Sequence, residues 1–95
     1  MIIETNYKLM DIVSLKMVSG EEVIGRLADE NAESVTLSKP MVFLMGPQGL
    51  GLVPYFFSGP KDGNVKIKNQ FINAMIKTDA DVGKQYQSQT SSLVI

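Results

Sequence analysis

Residues 12 to 37 anchor the reading of the chain, because apolar and polar positions alternate there with the period of two expected of half-buried strands. Val13, Leu15 and Met17 share one face, with Ser14 and Lys16 on the other. Ser19-Gly20-Glu21-Glu22 breaks that run: Gly20 can take the positive φ of a tight hairpin, and the two glutamates keep the turn in water. The return strand puts Val23, Gly25 and Leu27 on one face and Ile24, Arg26 and Ala28 on the other. A glycine inside a strand packs nothing, so Gly25 marks either an edge irregularity or, as preferred here, a bend that lets a short sheet curl. A polar turn from Ala28 to Ser34 follows, with Asn31 best able to adopt a left-handed conformation. Val35, Leu37 and Met41-Val42-Phe43-Leu44-Met45 then predict a long third strand that bends at Pro40, since proline cannot donate to a ladder.

Beyond it, Gly46-Pro47-Gln48-Gly49-Leu50-Gly51 reads as a hairpin loop. It is not a phosphate cradle, for neither Gly-Lys-Ser/Thr nor a helix start follows. Leu52-Val53-Pro54-Tyr55-Phe56-Phe57 is the most apolar strand predicted. A strand apolar on both faces needs two covers, and a domain of this size has one interior. The second cover is either a neighbouring chain, the preferred reading, or the C-terminal segment of the same chain. Ser58 to Asn64 has the composition of a hairpin tip. Val65-Lys66-Ile67-Lys68 alternates cleanly, and Phe71-Ile72 with Met75-Ile76 predicts the final strand. In this stretch two cations, amides at Asn69, Gln70 and Asn73, and the aromatic Phe71 converge. Thr78 or Asp79 can cap a short helix through Ala80, Val82, Tyr86 and Gln89, weakened by Gly83. The apolar Leu93-Val94-Ile95 is expected to dock. At the other end, Ile2, Ile3, Leu9 and Met10 fit a short helix or coil, while Tyr7, Leu9 and Asp11 could extend the first strand.

Composition narrows the chemistry. Ninety-five residues, 44% hydrophobic and 20% charged, make one globular domain spanning 1–95. The core is expected at about 8–77, with 78–95 an extension. There is no Cys, His or Trp, which removes disulfides, thiolate nucleophiles, zinc ribbons and the commonest general base. Asp29, Glu30 and Glu33 crowd one turn, but their spacing is not that of a calcium loop and no nucleophile accompanies them. They read as a solvated turn. No catalytic residue, metal site or cofactor is expected, and the chain is not read as an enzyme. The net charge of −1 gives no global nucleic-acid footprint, so any such binding needs a local patch. No apolar run reaches membrane-spanning length and no signal peptide is evident, which leads to the expectation of a cytoplasmic protein.

The order Gly20, Gly25, Leu27, Asn31, Leu37 resembles the first motif of the Sm-like (LSm) family. Ile67-Lys68-Asn69-Gln70-Phe71-Ile72-Asn73-Ala74-Met75 resembles its second, with Lys68-Asn69 where that family carries Arg-Gly. Asn tolerates positive φ second only to glycine, which makes the replacement physically sensible. The resemblance spans about residues 8 to 77 and is nearest to the divergent Sm-like proteins of bacteriophages, including those that infect marine cyanobacteria.

It implies a mainly β fold: a small, strongly bent, five-stranded antiparallel Sm-like (SH3-like) barrel with short N- and C-terminal helices. It further implies a homo-oligomeric ring of about five to seven subunits. The partners expected are further copies of the chain, with Tyr55, Phe56, Phe57, Ile72 and Met75 at the joint, and single-stranded RNA at the pore. Carried over by position, Asn31 and Glu30 from the first turn and Lys68 and Asn69 from the second are the candidate RNA-binding residues, with Lys66 adding charge. Lys68 keeps the charge of arginine without its planar stacking fork, and no aromatic precedes Asn31. The alternative is a phage structural or scaffolding ring that does not bind RNA.

Overall fold

Gly20, at φ +107°, turns β1 (Ile12–Met17) back into β2 (Glu22–Glu30), as its position between two alternating runs predicts. The structure, a computed structural model, describes residues 6–60 and 62–91. β3 (Ser34–Gly46), β4 (Gly49–Pro54), β5 (Asn64–Lys68), a 3₁₀ turn (Asn69–Phe71), β6 (Ile72–Lys77) and a helix α1 (Ala80–Ser91) complete it. All strand pairings are antiparallel, in the order β4-β3-β2-β1-β6, with β5 also on β3.

β3 is long enough to hold two partners in series. Its first half pairs with β5, from Ser34↔Lys68 to Ser38↔Asn64, and its second half with β4, from Met41↔Pro54 to Gly46↔Gly49. The change falls at Lys39-Pro40, where Lys39 has φ +51° and Pro40 withholds an amide, so the bend expected at Pro40 is present. β5 and β6 end on opposite margins of the sheet, joined by the 3₁₀ turn rather than paired. The five-stranded closed barrel expected from the sequence is therefore an open six-stranded sheet. Two physical reasons account for it: β4 and β5, expected to be joined as a hairpin across Ser58 to Asn64, both pair with β3 and not with each other, and a three-residue 3₁₀ turn does not return the chain alongside itself as a hairpin does.

Several boundaries also move. β2 continues to Glu30, so the polar turn shrinks to positions 31–33. The glycine-rich loop shrinks to Pro47-Gln48, and β4 stops at Pro54, leaving Tyr55–Phe57 outside the strand. Phe71 belongs to the 3₁₀ turn and the last strand begins at Ile72. Gly25 lies on a central strand at a register shift, and a Cβ there would stand 3.0 Å from Leu37 Cβ and 3.2 Å from the Ser38 carbonyl oxygen. It permits a close backbone approach at a bulge, not an edge irregularity.

The sheet has two apolar faces. Val13, Leu15, Met17, Val23, Leu27, Val35, Leu37, Ile67, Ile72 and Met75 form the main core, with Tyr7, Val42, Tyr55 and Val65 at its margin. Ile24 and Met41 point the other way and are covered by Tyr86 of α1, with Ile12, Phe43, Leu52 and Val82 around them. Of the two covers left open for the apolar fourth strand, the C-terminal segment supplies one over Leu52. α1 starts where Asp79 accepts the amides of Asp81 (3.1 Å) and Val82 (3.4 Å), an N-cap that the sequence indicates. Tyr86 then donates its hydroxyl to the carbonyls of Ser38 (3.0 Å) and Lys39 (2.8 Å), pinning the helix to the bend in β3. Burial pushes that phenol up to about 12.

Asn6 to Asp11 form an irregular turn, the coil of the expected helix or coil, and do not extend β1, while Ile2, Ile3, Lys61 and Leu93-Val94-Ile95 lie outside the described residues. No helix among the described residues is long and apolar enough to cross a membrane.

Candidate functional site

The β2–β3 turn is built by one side chain. Asn31 Oδ1 accepts the amides of Glu33 (2.8 Å) and Ser34 (3.0 Å), and the Asn31 amide donates to the Ser34 carbonyl (2.9 Å). This closes an Asx turn without a left-handed residue, so Asn31 does not have the positive φ expected of it. It remains exposed, with its amide nitrogen directed to donation alone.

The 3₁₀ turn binds directly to that loop. The backbone amide of Asn69 donates to the Glu33 carbonyl (2.9 Å), and its side-chain Nδ2 donates to the carbonyls of Asn31 (3.3 Å) and Ala32 (3.2 Å). Two carbonyl acceptors fix the orientation of the amide, since the flipped form would set oxygen against oxygen. Asn69 Oδ1 is buried and has no partner among the described residues. Asn69, too, has no positive φ: what it contributes is its side-chain amide, which a glycine would lack.

These bonds bring together residues nearly forty positions apart. Asn31, Ala32, Glu33, Ser34, Lys66, Lys68, Asn69 and Gln70 line an open cleft of about 530 Å³. Lys66 and Lys68 stand on the outer face of β5, opposite Thr36 and Ser34, while Ile67 between them points into the core. The ion pair found among the described residues joins Lys77 to Asp11 (3.8 Å), so neither cleft lysine is neutralised by a carboxylate. With Glu33 as the one acidic lining residue, the cleft offers two ammonium groups, amide donors and acceptors, and one negative charge. Such a surface can hold a phosphate and hydrogen-bond a base edge.

The two lysines also border a second hollow of about 340 Å³, lined among others by Met17, Val18, Tyr55, Phe56, Ile67 and Phe71. β5 thus carries a cationic ridge between a polar cleft and an aromatic groove. Tyr55 and Phe56 meet edge to face, ring centroids 5.2 Å apart at 61°. Burial, with Glu21 nearby, pushes the Tyr55 phenol up.

Of the residues expected to touch RNA, Asn31, Lys66, Lys68 and Asn69 share the cleft and Glu30 does not line it. Glu30 instead accepts the Tyr7 hydroxyl (3.0 Å); burial first, then this bond and its charge, push the Tyr7 phenol up to about 12. Of the expected joint residues, Phe56 and Phe57 are exposed and Tyr55 is half-buried, whereas Ile72 and Met75 pack inside the chain's own core. Sequence reasoning missed Glu33 and Ser34 as cleft residues and the closeness of Phe56 to the lysines. The first pair follows from the Asx turn that Asn31 announces; the second needs the β3–β5 register, which no local pattern encodes. No protein-family model matches this chain, and no curated protein matches it.

Proposed function

We propose that this chain is a Sm-like subunit of a homo-oligomeric ring that binds single-stranded RNA in the cleft between the β2–β3 turn and the 3₁₀ turn. One observation carries the reading: positions 31–34, inside the first family-like motif, and 66–70, where the second begins, are tied into one cationic cleft by Asn69. The open sheet supports the ring. β5 and β6 each have one strand partner, and the barrel left open within one chain is completed when the outer edge of β6 in one copy meets β5 in the next, over the groove at Phe56 and Phe71. Head-to-tail contacts of this kind close into a ring. Repetition around the pore then turns Lys66 and Lys68 into a positive belt despite a near-neutral subunit. Lys68 holds phosphate, the free side-chain amide of Asn31 meets base and sugar edges, Asn69 holds the two turns together, and the site performs no chemical step. The setting is the cytoplasm, that of the host cell if the gene is a phage's.

The test is fluorescence anisotropy of labelled oligo-U and oligo-A titrated with nucleic-acid-free protein at low and moderate salt. Saturable binding that weakens with salt is expected. A second reading, a scaffolding ring without RNA, is favoured by the absence of any aromatic residue from the cleft and by Glu33 within it. An intact ring that binds neither oligonucleotide at high protein concentration would select it.

A further inference from the structure

Among the described residues nothing pairs with the outer edge of β4. This strand ends the strand order of the sheet, and its hydrogen-bonding phase is fixed at both ends. At one end the Tyr55 amide donates to the Pro40 carbonyl (3.0 Å); at the other, a two-residue turn makes Gly46↔Gly49 a bonded pair. Counting in twos between these points, Gly49, Gly51 and Val53 bond inward to β3, while Leu50, Leu52 and position 54 direct their backbone groups outward. Position 54 is Pro54, which has no amide to offer, as befits a residue facing away from its own sheet. Leu50 and Leu52 are left presenting an N–H and a C=O each, and no backbone bond from another segment among the described residues reaches them.

The side chains at this edge do nothing to repel a strand. No charged residue occurs from Pro40 to Pro60, and β4 is the one described strand without a charged side chain. Beyond the reach of α1 its hairpin exposes Leu44, Met45 and Leu50, with Met45 77% accessible. Edges that must stay single usually carry lysine, proline, a bulge or a covering loop; among the described residues β4 has only Pro54, at its very end, which leaves Leu50 and Leu52 unguarded. Because an apolar, uncharged edge is matched by another without charge, β4 itself is the complementary strand within this chain.

We infer that β4 pairs with β4 of a second copy across a two-fold axis through Gly51. In that register Leu50 exchanges both backbone bonds with Leu52 of the other copy, and Leu52 with its Leu50, giving four bonds. Shifting by two residues in one direction would place Pro54 in a bonded pair, and in the other the turn residue Gln48; the register centred on Gly51 avoids both. At the axis the two Gly51 residues form a non-bonded pair, the closest backbone approach in an antiparallel ladder. Leu50, Leu52, Met45 and Phe43 of the two copies then lie on one face and cover one another. The joint is small beside the roughly 1,600 Å² of a standard stable interface, so it forms at high protein concentration. It does not depend on the RNA reading, and in a ring it would join two rings face to face.

The experiment uses the full chain, which has no cysteine of its own. Gly51→Cys puts a thiol where a Cβ meets nothing within 4 Å, and the pair at the axis lies within disulfide range. Oxidised glutathione should convert it to a disulfide-linked dimer on a non-reducing gel, much faster than it converts Phe57→Cys, an exposed position outside β4. Leu50→Lys, at a half-exposed site where folding is not at stake, should halve the mass measured by light scattering. Equal masses for Leu50→Lys and the parent, or cross-linking of Gly51→Cys no faster than of Phe57→Cys, would overturn the inference. Both readouts compare a dimer with its half, so failure of the ring leaves them intact.

Discussion

The two halves of β3 have nearly the same pattern and opposite surroundings. Val35 and Leu37, before the bend, are wholly inaccessible because β2 and β5 flank them and the main core closes over them. Leu44 and Met45, after it, run out along a hairpin whose only strand partner at that level is β4, and they stand in water. Alternation therefore says that a segment can pack on one side; it does not say that anything is there to pack against. The bend at Lys39-Pro40, held by Tyr86, separates the two.

Breaking this contrast at its strongest point gives the largest effect. Leu37→Ala should cost about 2–5 kcal/mol of unfolding free energy in a urea titration, and Met45→Ala less than about 0.5 kcal/mol. Equal costs would mean that the arm is packed in solution.

Next comes the glycine that lets the buried half of β3 approach β2. Gly25→Ala meets Leu37 and the Ser38 carbonyl at contact distances that force a shift, for about 1–3 kcal/mol, whereas Gly51→Ala enters open space on the arm and should be neutral within about 0.5 kcal/mol. A costless Gly25→Ala would remove the close approach from the account.

At the bend itself, Tyr86→Phe leaves two carbonyls without their hydroxyl donor and should cost about 1–2 kcal/mol. The same hydroxyl carries a pH signature. The Tyr86 and Tyr7 phenols are both raised from 10 to about 12, so the folded state holds these protons more tightly than the unfolded one. Their stabilisation is complete below pH 10 and is lost as pH rises from there through about 12. Thermal melts across that window should show falling stability, with a flatter fall for Tyr86→Phe; an unchanged slope would show that the bend does not depend on this group.

The smallest change in stability belongs to the cleft. Lys68→Ala removes an exposed side chain and should leave the melting temperature almost unchanged, while under the proposed RNA reading it lowers affinity and reduces the salt slope by about one. An unchanged slope would clear Lys68 of phosphate contact.

Much of this was legible from residues close together in the chain. The Gly20 turn, the alternation of β1, β2 and β5, the bend at Pro40 and the Asp79 cap each rest on interactions within a few positions. Even the site was half legible: Asn31, Lys66, Lys68 and Asn69 were named, and they share a cleft. What was misread shows the limit. Asn31 and Asn69 were credited with tolerance of positive φ, and both act instead through side-chain bonds, one within its own turn and one across to another. Glu30 sits beside Asn31 in sequence, yet its strand position turns it to Tyr7 and away from the cleft.

Backbone sterics and side-chain period act over a few residues, so the sequence shows that these strands and turns exist and which side of each strand is apolar, while their ends shift. That β3 serves two partners in series, that Tyr86 covers Ile24 and Met41 while Met45 and Leu50 stay bare, and that the sheet remains open are visible in the folded chain alone. Those outcomes depend on which segments meet across long stretches of chain, and the entropy and packing of such meetings belong to the whole fold rather than to any local window.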